Sequence, residues 1–323
     1  MMPTAAPILA VLAGHEGLTP TDRELLTLAR RLGVGHAVWP GSGSEAPAEL
    51  CALHGASATH VLAGGSSDSL SADSTAALVA AVAREVGANV VLLASGPSAR
   101  EVAALSARLL GAGLVLDASE IRIGADDHVS AVRSALSATW DVHIHVKRPA
   151  AVVTVAPNSV TRIEADDARA ARLVEHAVDI AQPSAVTVIE RHRPDVSEGP
   201  DLARASVVVA GGRGTNGDFR AVRELAELLG GAVGSTRVAT DEGWIAPATQ
   251  IGQTGLTVAP RLYIGAGVSG AVHHRGGMQA AGTIVAINTD REAPIFEIAD
   301  VGVVGDLHTV LPQLTAELRR RRG

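Results

Sequence analysis

The sequence predicts an α/β protein of two domains, each a mostly parallel sheet flanked by helices, the N-terminal one with added antiparallel strands. Three observations carry that expectation. The chain has 323 residues, more than a single core comfortably organises. Its composition is 47% hydrophobic with 34 glycines but only two phenylalanines and one tyrosine. Small aliphatic residues must therefore fill the core, which suits parallel sheets covered by helices. Short apolar runs also alternate with helical patterns in both halves of the chain, as βα units require.

The apolar runs Ile8–Ala13, His36–Trp39, His60–Ala63 and Val90–Ala94 read as buried strands. Helical patterns lie between and after them, at Thr21–Leu32, Pro47–His54, Ser74–Val86 and Ser98–Leu110. Thr21 precedes Asp22 and Glu24, and Ser98 with Glu101 forms a capping-box pattern. His128–Leu136, Trp140–Val146 and Ala150–Ala156 then have the spacing of strands joined by short turns, so antiparallel strands are expected there. A further strand is expected at Ala185–Glu190. The polar stretch over 191–204, with two prolines and a glycine, marks a boundary between domains 1–195 and 204–323. The second domain reads as strand Ser206–Ala210, helix Phe219–Leu229, short strands or turns to Gln250 and strand Arg261–Ile264. A helix near Ala271–Ala280, strands Thr283–Asn288 and Val301–Val304, and a helix over Leu307–Arg320 complete it. The C-terminal domain is thus expected to be Rossmann-like.

The net charge of −7 excludes a general phosphate-backbone binder, so no nucleic-acid partner is expected. The cationic run Arg319–Arg322 reads as a solvated helix end favoured by the helix dipole. A single cysteine, Cys51, allows neither an internal disulfide nor a multi-cysteine metal site, and reads as a packed small hydrophobe. The three tryptophans read as packing. No signal-peptide pattern opens the sequence and no window reaches the roughly 20 apolar residues of a membrane span. The expectation is a cytoplasmic protein without membrane insertion.

Gly265-Ala-Gly267-Val-Ser-Gly270 satisfies the G-x-G-x-x-G template between a predicted strand and helix, with Asp290 where a ribose-binding acid would stand. Alone, it supports an NAD(P)-dependent dehydrogenase. Other residues belong to a different ligand. The turn Ile251–Gly255, IGQTG, could meet a heteroaromatic ring edge, and Ser269 with the following amides could hold phosphate. His274 could reach a ring carbonyl, while Arg213 and Arg237 could face a ligand that becomes anionic. Asn288 ends a strand, and Asp306 could cap the last helix or bind ribose. His273 and His274 point about 100° apart on a helix, so at most one faces a ligand. No metal-ligand spacing or catalytic constellation is found.

These residues resemble the alpha subunit of electron transfer flavoproteins. The resemblance rests on GGRG (Gly211–Gly214), VGSTRVATDEGW (Val233–Trp244), QIGQTG (Gln250–Gly255), LYIGAGVSGAVHHRGGM (Leu262–Met278), TIVAINTDREAPIFEIAD (Thr283–Asp300) and GVVGDL (Gly302–Leu307). It continues more loosely at Glu24–Arg30 and Ala150–Ser159. It implies a C-terminal domain holding most of one FAD and an N-terminal domain packed on a beta subunit, forming a heterodimer. Such a pair is an electron carrier rather than an enzyme with its own substrate. It takes electrons from dehydrogenases, such as the acyl-CoA dehydrogenases of fatty acid beta-oxidation, and passes them to a quinone oxidoreductase. By position, Arg213, Thr236, Arg237, Gln250, Ile251, Gly252, Gln253, Thr254, Ser269, Gly270, Ala271, Val272, His273, His274, Asn288, Asp306 and Leu307 would line FAD. Thr254 would bond near the reactive ring nitrogen, Arg237 would lie over the ring and His274 would donate to a ring carbonyl. Ser269 would take the pyrophosphate, and Asn288 and Asp306 the adenosine end. The chain departs from the family pattern at Thr236, His273, Gly265, Arg275 and Gly276.

Overall fold

A computed structural model describes residues 6–14, 17–41, 43–64, 71–136, 138–165, 170, 172–178 and 199–322. The chain forms two compact units, Met1–Ser134 with Asp141–Glu190, and Ala135–Trp140 with Arg191–Gly323. The expected strand Ala185–Glu190 and most of the expected boundary lie outside the described residues. Among the described residues no helix is long and apolar enough to cross a membrane.

The N-terminal unit alternates β1 (Pro7–Val11), α1 (Pro20–Leu32), β2 (Val34–Trp39), α2 (Ala48–Leu53), β3 (Thr59–Leu62), α3 (Ala72–Val86), β4 (Val90–Ala94), α4 (Pro97–Leu110) and β5 (Gly113–Ala118). It adds β6 (Glu120–Ile123), β7 (Val129–Ala135), β8 (Trp140–His145), β9 (Ala151–Val155) and β10 (Leu173–His176). Seven of these strands pair in the order β10-β3-β2-β1-β4-β9-β5, all parallel. Alternate residues serve opposite faces: Ile8 and Ala10 pack with Leu25 of α1, whereas Leu9 and Val11 pack with Leu78 of α3 and Ala103 of α4.

Three expectations are corrected here. The strand at Ala150–Ala156 is not antiparallel: β9 enters the main sheet between β4 and β5, and every residue of its AVVTV run is buried. Burial on both faces is the mark of an inner parallel strand. The small separate sheet is instead β6-β7-β8, with β6 and β7 antiparallel. Helix α4 starts at Pro97 after Gly96 without a side-chain cap, so Ser98 and Glu101 form no capping box. The box belongs to α1, where Thr19 and Asp22 cap each other. Trp140 is 65% exposed, so it is not a packing residue, unlike buried Trp39.

The C-terminal unit runs β11 (Val207–Gly211), α5 (Arg220–Leu229), β12 (Ala232–Ser235), α6 (Arg237–Asp241), β13 (Leu262–Ala266), α7 (Val272–Arg275), β14 (Thr283–Asn288), β15 (Val301–Val304) and α8 (Leu307–Arg322). Its five strands are parallel in the order β12-β11-β13-β14-β15. The chain leaves β11 towards β12 on one side and resumes with β13 on the other. A crevice therefore opens at the carboxyl ends of β11 and β13. The helix expected near Ala271–Ala280 is a single turn, α7. Just beyond it Gly277 lies against the Gly252 backbone, where a Cβ would stand 2.4 Å from the Gly252 nitrogen. At the end of α8, Arg319 pairs with Glu224 at 2.9 Å, and Arg320 and Arg321 pair with Glu317.

Candidate functional site

Two glycine turns close the carboxyl ends of β11 and β13 onto each other. Gly212 N–H donates to Ala266 O and Gly214 N–H to Gly267 O, both at 3.0 Å. A Cβ on Gly212 would meet Gly267 O at 2.3 Å. Gly270 has φ +78°, and a Cβ there would lie 2.4 Å from the Ile295 nitrogen. These glycines permit contact between turns. Gly265, by contrast, sits inside β13, paired with Ala210 and Ala286. The dinucleotide template thus loses its first glycine to a strand and its helix to one turn. Asp290 accepts the Glu292 amide at 3.0 Å, capping its own turn. The nicotinamide reading is withdrawn on this geometry.

The turn after β13 is rich in uncommitted donors. Among the described residues, the backbone amides of Val268 through His273 donate to no carbonyl, although Gly267 N–H and His274 N–H on either side do. Ser269, Ala271, Val272 and His273 are exposed. The turn is held from behind: Asn288 Nδ2 donates to Val268 O at 2.9 Å, Ile295 N–H donates to Ser269 O at 3.0 Å, and Leu307 packs against Gly267. Asn288 and Leu307 therefore stand in supporting positions, as does Asp306, whose carboxylate accepts the His308 amide at 3.0 Å.

A second wall comes from Gln250 to Gly255. Ile251 N–H donates to Ser235 O at the end of β12, and Gln253 N–H donates to His273 O, both at 2.9 Å, so the IGQTG turn joins β12 to α7. Gly252, with φ +146°, faces the His273 carbonyl. Gln250 Nε2 lies 2.9 Å from Thr254 Oγ1, and Thr254 and Gln253 are exposed. The two histidines part company, and not as the resemblance implies. His274 is buried, with Nε2 2.7 Å from Tyr263 Oη and Nδ1 3.1 Å from Ile251 O. Burial lowers its pKa to about 4, so the ring is neutral near pH 7. A carbonyl only accepts, so Nδ1 carries the proton and the Tyr263 hydroxyl donates to Nε2. Burial raises the Tyr263 pKa, which keeps that proton in place. Neither nitrogen of His274 is left to donate to a ring carbonyl. The exposed imidazole is His273, with Nδ1 2.9 Å from Gln253 Oε1.

Charge enters from two arginines. Arg213 is exposed and makes no ion pair among the described residues, whereas Arg237 pairs with Asp241 at 3.2 Å. Thr236 precedes α6, and its hydroxyl is buried without any hydrogen-bond partner. Sequence reasoning missed Tyr263 and Thr240. The signal for Tyr263 was its being the only tyrosine in the chain. Thr240 lay within the VGSTRVATDEGW stretch, where its bond to Gln250 Oε1 at 2.9 Å left no trace in the spacing.

Residues 201–279 match the family model described as the electron transfer flavoprotein FAD-binding domain, and residues 9–181 match the electron transfer flavoprotein domain. Electron transfer flavoprotein subunit alpha of Mycobacterium leprae (strain TN) is 39% identical over 323 residues, covering 98% of this chain and 100% of that one. The subunit alpha of Syntrophomonas wolfei is 36% identical over 301 residues, covering 92% and 94%. Protein FixB of Azorhizobium caulinodans is 39% identical over 237 residues, covering 72% and 64%. The chain belongs to the electron transfer flavoprotein alpha-subunit family.

As in that family, FAD is the cofactor of the C-terminal unit. The donor set fits it. A pyrophosphate needs several amides not already bonded, and the electron transfer flavoprotein turn Val268–His273 presents them. A buried hydroxyl without a partner costs about 1–3 kcal/mol. The Thr236 hydroxyl carries that cost in this structure. Among the described residues no three His, Cys, Asp or Glu side chains are grouped to hold a metal.

Proposed function

We propose that this chain is the FAD-holding alpha subunit of a heterodimeric electron transfer flavoprotein. Its N-terminal domain, residues 1–195, packs on a beta subunit, and residues 204–323 hold the flavin. The pair is an electron carrier. It takes electrons from flavin dehydrogenases such as acyl-CoA dehydrogenases, and passes them to an acceptor of the quinone-oxidoreductase type. The observation that carries this reading is the run of amides at Val268–His273 that donate to no carbonyl among the described residues, together with exposed Arg213, which makes no ion pair among them.

Bound FAD supplies reversible one- and two-electron chemistry that side chains lack. The protein supplies position and charge. Ser269 and the amides of Gly270 to Val272 take the pyrophosphate, and Thr236 satisfies its hydroxyl on the cofactor. Thr254, Gln253 and His273 offer polar groups along the ring edge near the reactive nitrogen, with His273 rather than His274 exposed for it. Gln250, Ile251 and Gly252 set that wall, and Ala271 and Val272 cover the ligand. Asn288, Asp306 and Leu307 hold the turns that frame the adenosine end. The guanidinium groups of Arg213 and Arg237 favour a reduced, anionic ring over a neutral one.

The test is co-expression with a beta subunit followed by visible spectroscopy. The purified pair is expected to show flavin bands at one FAD per heterodimer. A folded, colourless pair that takes up no FAD would sink the reading.

A further inference from the structure

Thr240, Gln250 and Thr254 form a hydrogen-bonded row that ends at the exposed mouth of the C-terminal crevice. Thr240 Oγ1 lies 2.9 Å from Gln250 Oε1, and Gln250 Nε2 lies 2.9 Å from Thr254 Oγ1. The same Thr240 hydroxyl lies 2.9 Å from the Arg237 carbonyl oxygen. A hydroxyl has one proton, so Thr240 donates to only one of these two acceptors at a time.

That constraint gives the row two self-consistent arrangements. In the first, Thr240 donates to Gln250 Oε1 and Gln250 Nε2 donates to Thr254. The Thr254 proton is then free to point outward. In the second, Thr240 donates to the Arg237 carbonyl and the Gln250 amide is turned over. Its nitrogen now donates to Thr240, its oxygen accepts from Thr254, and Thr254 shows a lone pair outward. Amide oxygen and nitrogen are nearly equal in size, so the turn needs rotation about one side-chain bond and no backbone movement.

A flavin ring nitrogen changes hydrogen-bonding sense with redox state: it is a bare acceptor when oxidised and an N–H donor when fully reduced. From the row, we infer that Thr240, Gln250 and Thr254 act as a polarity switch, Thr254 donating to the oxidised ring and accepting from the reduced one. Gln250 and Thr240 are positioning residues in this scheme. The inference rests on the reading of the crevice as an FAD site with Thr254 at the ring. No proton leaves the row. Each hydroxyl keeps its own proton and rotates, the amide keeps both of its protons, and the proton gained by the ring nitrogen comes from elsewhere.

Replacing Thr240 by valine removes both the donor and the acceptor at the far end of the row. The first arrangement then loses one hydrogen bond, to the amide oxygen, and the second loses two, from the amide N–H and to the Arg237 carbonyl. The second loss is the larger, so Thr240→Val favours Thr254 as outward donor and hence the oxidised ring. The experiment measures FAD content and midpoint potential on purified heterodimers carrying Thr240→Val, Thr240→Ser, Thr254→Val, and Thr240→Val with Thr254→Val. Thr240→Val is expected to shift the ratio of affinities for oxidised and reduced FAD about fivefold, the worth of one hydrogen bond. That is a fall of ~20 mV for a two-electron couple, where tenfold is about 30 mV. Thr240→Ser should keep the parent value, and Thr240→Val should do nothing further once Thr254 is valine. No shift, a shift of opposite sign, or an equal shift in both backgrounds overturns the switch. Absence of FAD from the parent heterodimer overturns instead the site reading beneath it. Should Thr240→Val not retain FAD, Thr240→Ala gives the same comparison with a smaller side chain.

Discussion

The two units share a plan in which the first strand has neighbours on either side, β1 between β2 and β4, and β11 between β12 and β13. What stands at the carboxyl ends differs. In the N-terminal unit the turn after β1 is closed by the chain's own carboxylate. Asp22, 1% exposed, accepts the amides of Ala13 and Thr19 at 2.9 Å each and the Thr19 hydroxyl at 2.7 Å. Among the described residues of the C-terminal unit, the turn after β13 has no such partner. Asp290 and Asp306 accept amides of their own turns, and Glu297 pairs with Arg275 at 2.8 Å. The difference teaches that loop amides at the carboxyl end of a parallel sheet are either spent on an internal anion, as those of Ala13 and Thr19 are on Asp22, or kept for a ligand, as those after β13 are.

The comparison breaks first at Gly270. Gly270→Ala forces a Cβ against the Ile295 backbone at a positive φ, so the turn after β13 must move. The heterodimer is expected to lose FAD by at least tenfold in affinity and about 2–3 kcal/mol in stability. Titration with FAD and chemical denaturation measure the two. Asp22→Ala should do the reverse. It orphans two amides and a hydroxyl, at about 2–3 kcal/mol, while FAD stoichiometry stays unchanged. If Asp22→Ala empties the flavin site and Gly270→Ala spares it, the contrast between the units is wrong.

Acid sharpens the same contrast. His36, His60 and His176 lie on three adjacent strands and touch in a row, with His36 Nδ1 3.0 Å from His60 Nε2 and His60 Nδ1 2.8 Å from His176 Nε2. His176 Nδ1 then lies 3.1 Å from Glu85 Oε2. Burial, followed by the charges of His36, His176 and Arg172, lowers the His60 pKa to about 3. A histidine depressed in the fold binds fewer protons there than in the unfolded chain. Its contribution is therefore complete above about pH 6.5 and is lost as pH falls towards 3. By pH 5 the loss is about 2 kcal/mol. His274, lowered to about 4 by burial, adds the same trend in the other unit. Denaturant midpoints between pH 8 and 5 should fall less in His60→Gln than in the parent protein. Equal slopes would dismiss the histidine row as the acid-sensitive element.

Short runs rich in valine, isoleucine and leucine were easiest to read from sequence. Val90–Ala94, Thr283–Asn288 and Val301–Val304 are expected and observed with the same bounds, although only the first is buried almost throughout and Val301–Val304, at the sheet edge, is largely exposed. The direction of β9 was not legible. Its AVVTV run is as compatible with an antiparallel neighbour as with insertion between β4 and β5, and only pairing over long sequence separation decides. The Thr19–Asp22 cap was hidden because Asp stands where a capping box more often has Glu or Gln. In the candidate site the glycines, arginines and IGQTG turn were visible as residue types, yet their burial was not. His274 looked like a ligand donor until Tyr263, eleven residues earlier on a strand, took its second nitrogen.

Asp290→Ala gives the smallest expected effect, and its smallness is informative. In a nicotinamide crevice this acid would hold ribose, and its loss would weaken cofactor binding strongly. Here Asp290 is exposed, its amide donates to Asn288 Oδ1 at 3.0 Å, and its carboxylate accepts the Glu292 amide at 3.0 Å. The side chain caps a surface turn, and such caps are worth about 0.5–1 kcal/mol. FAD affinity should therefore stay within about twofold of the parent, a difference under about 0.5 kcal/mol. Isothermal titration of the apo heterodimer with FAD measures it. A tenfold loss would mean that Asp290 leaves its turn to meet the cofactor. The carboxylates around the C-terminal crevice would then not be committed as the contrast with Asp22 requires.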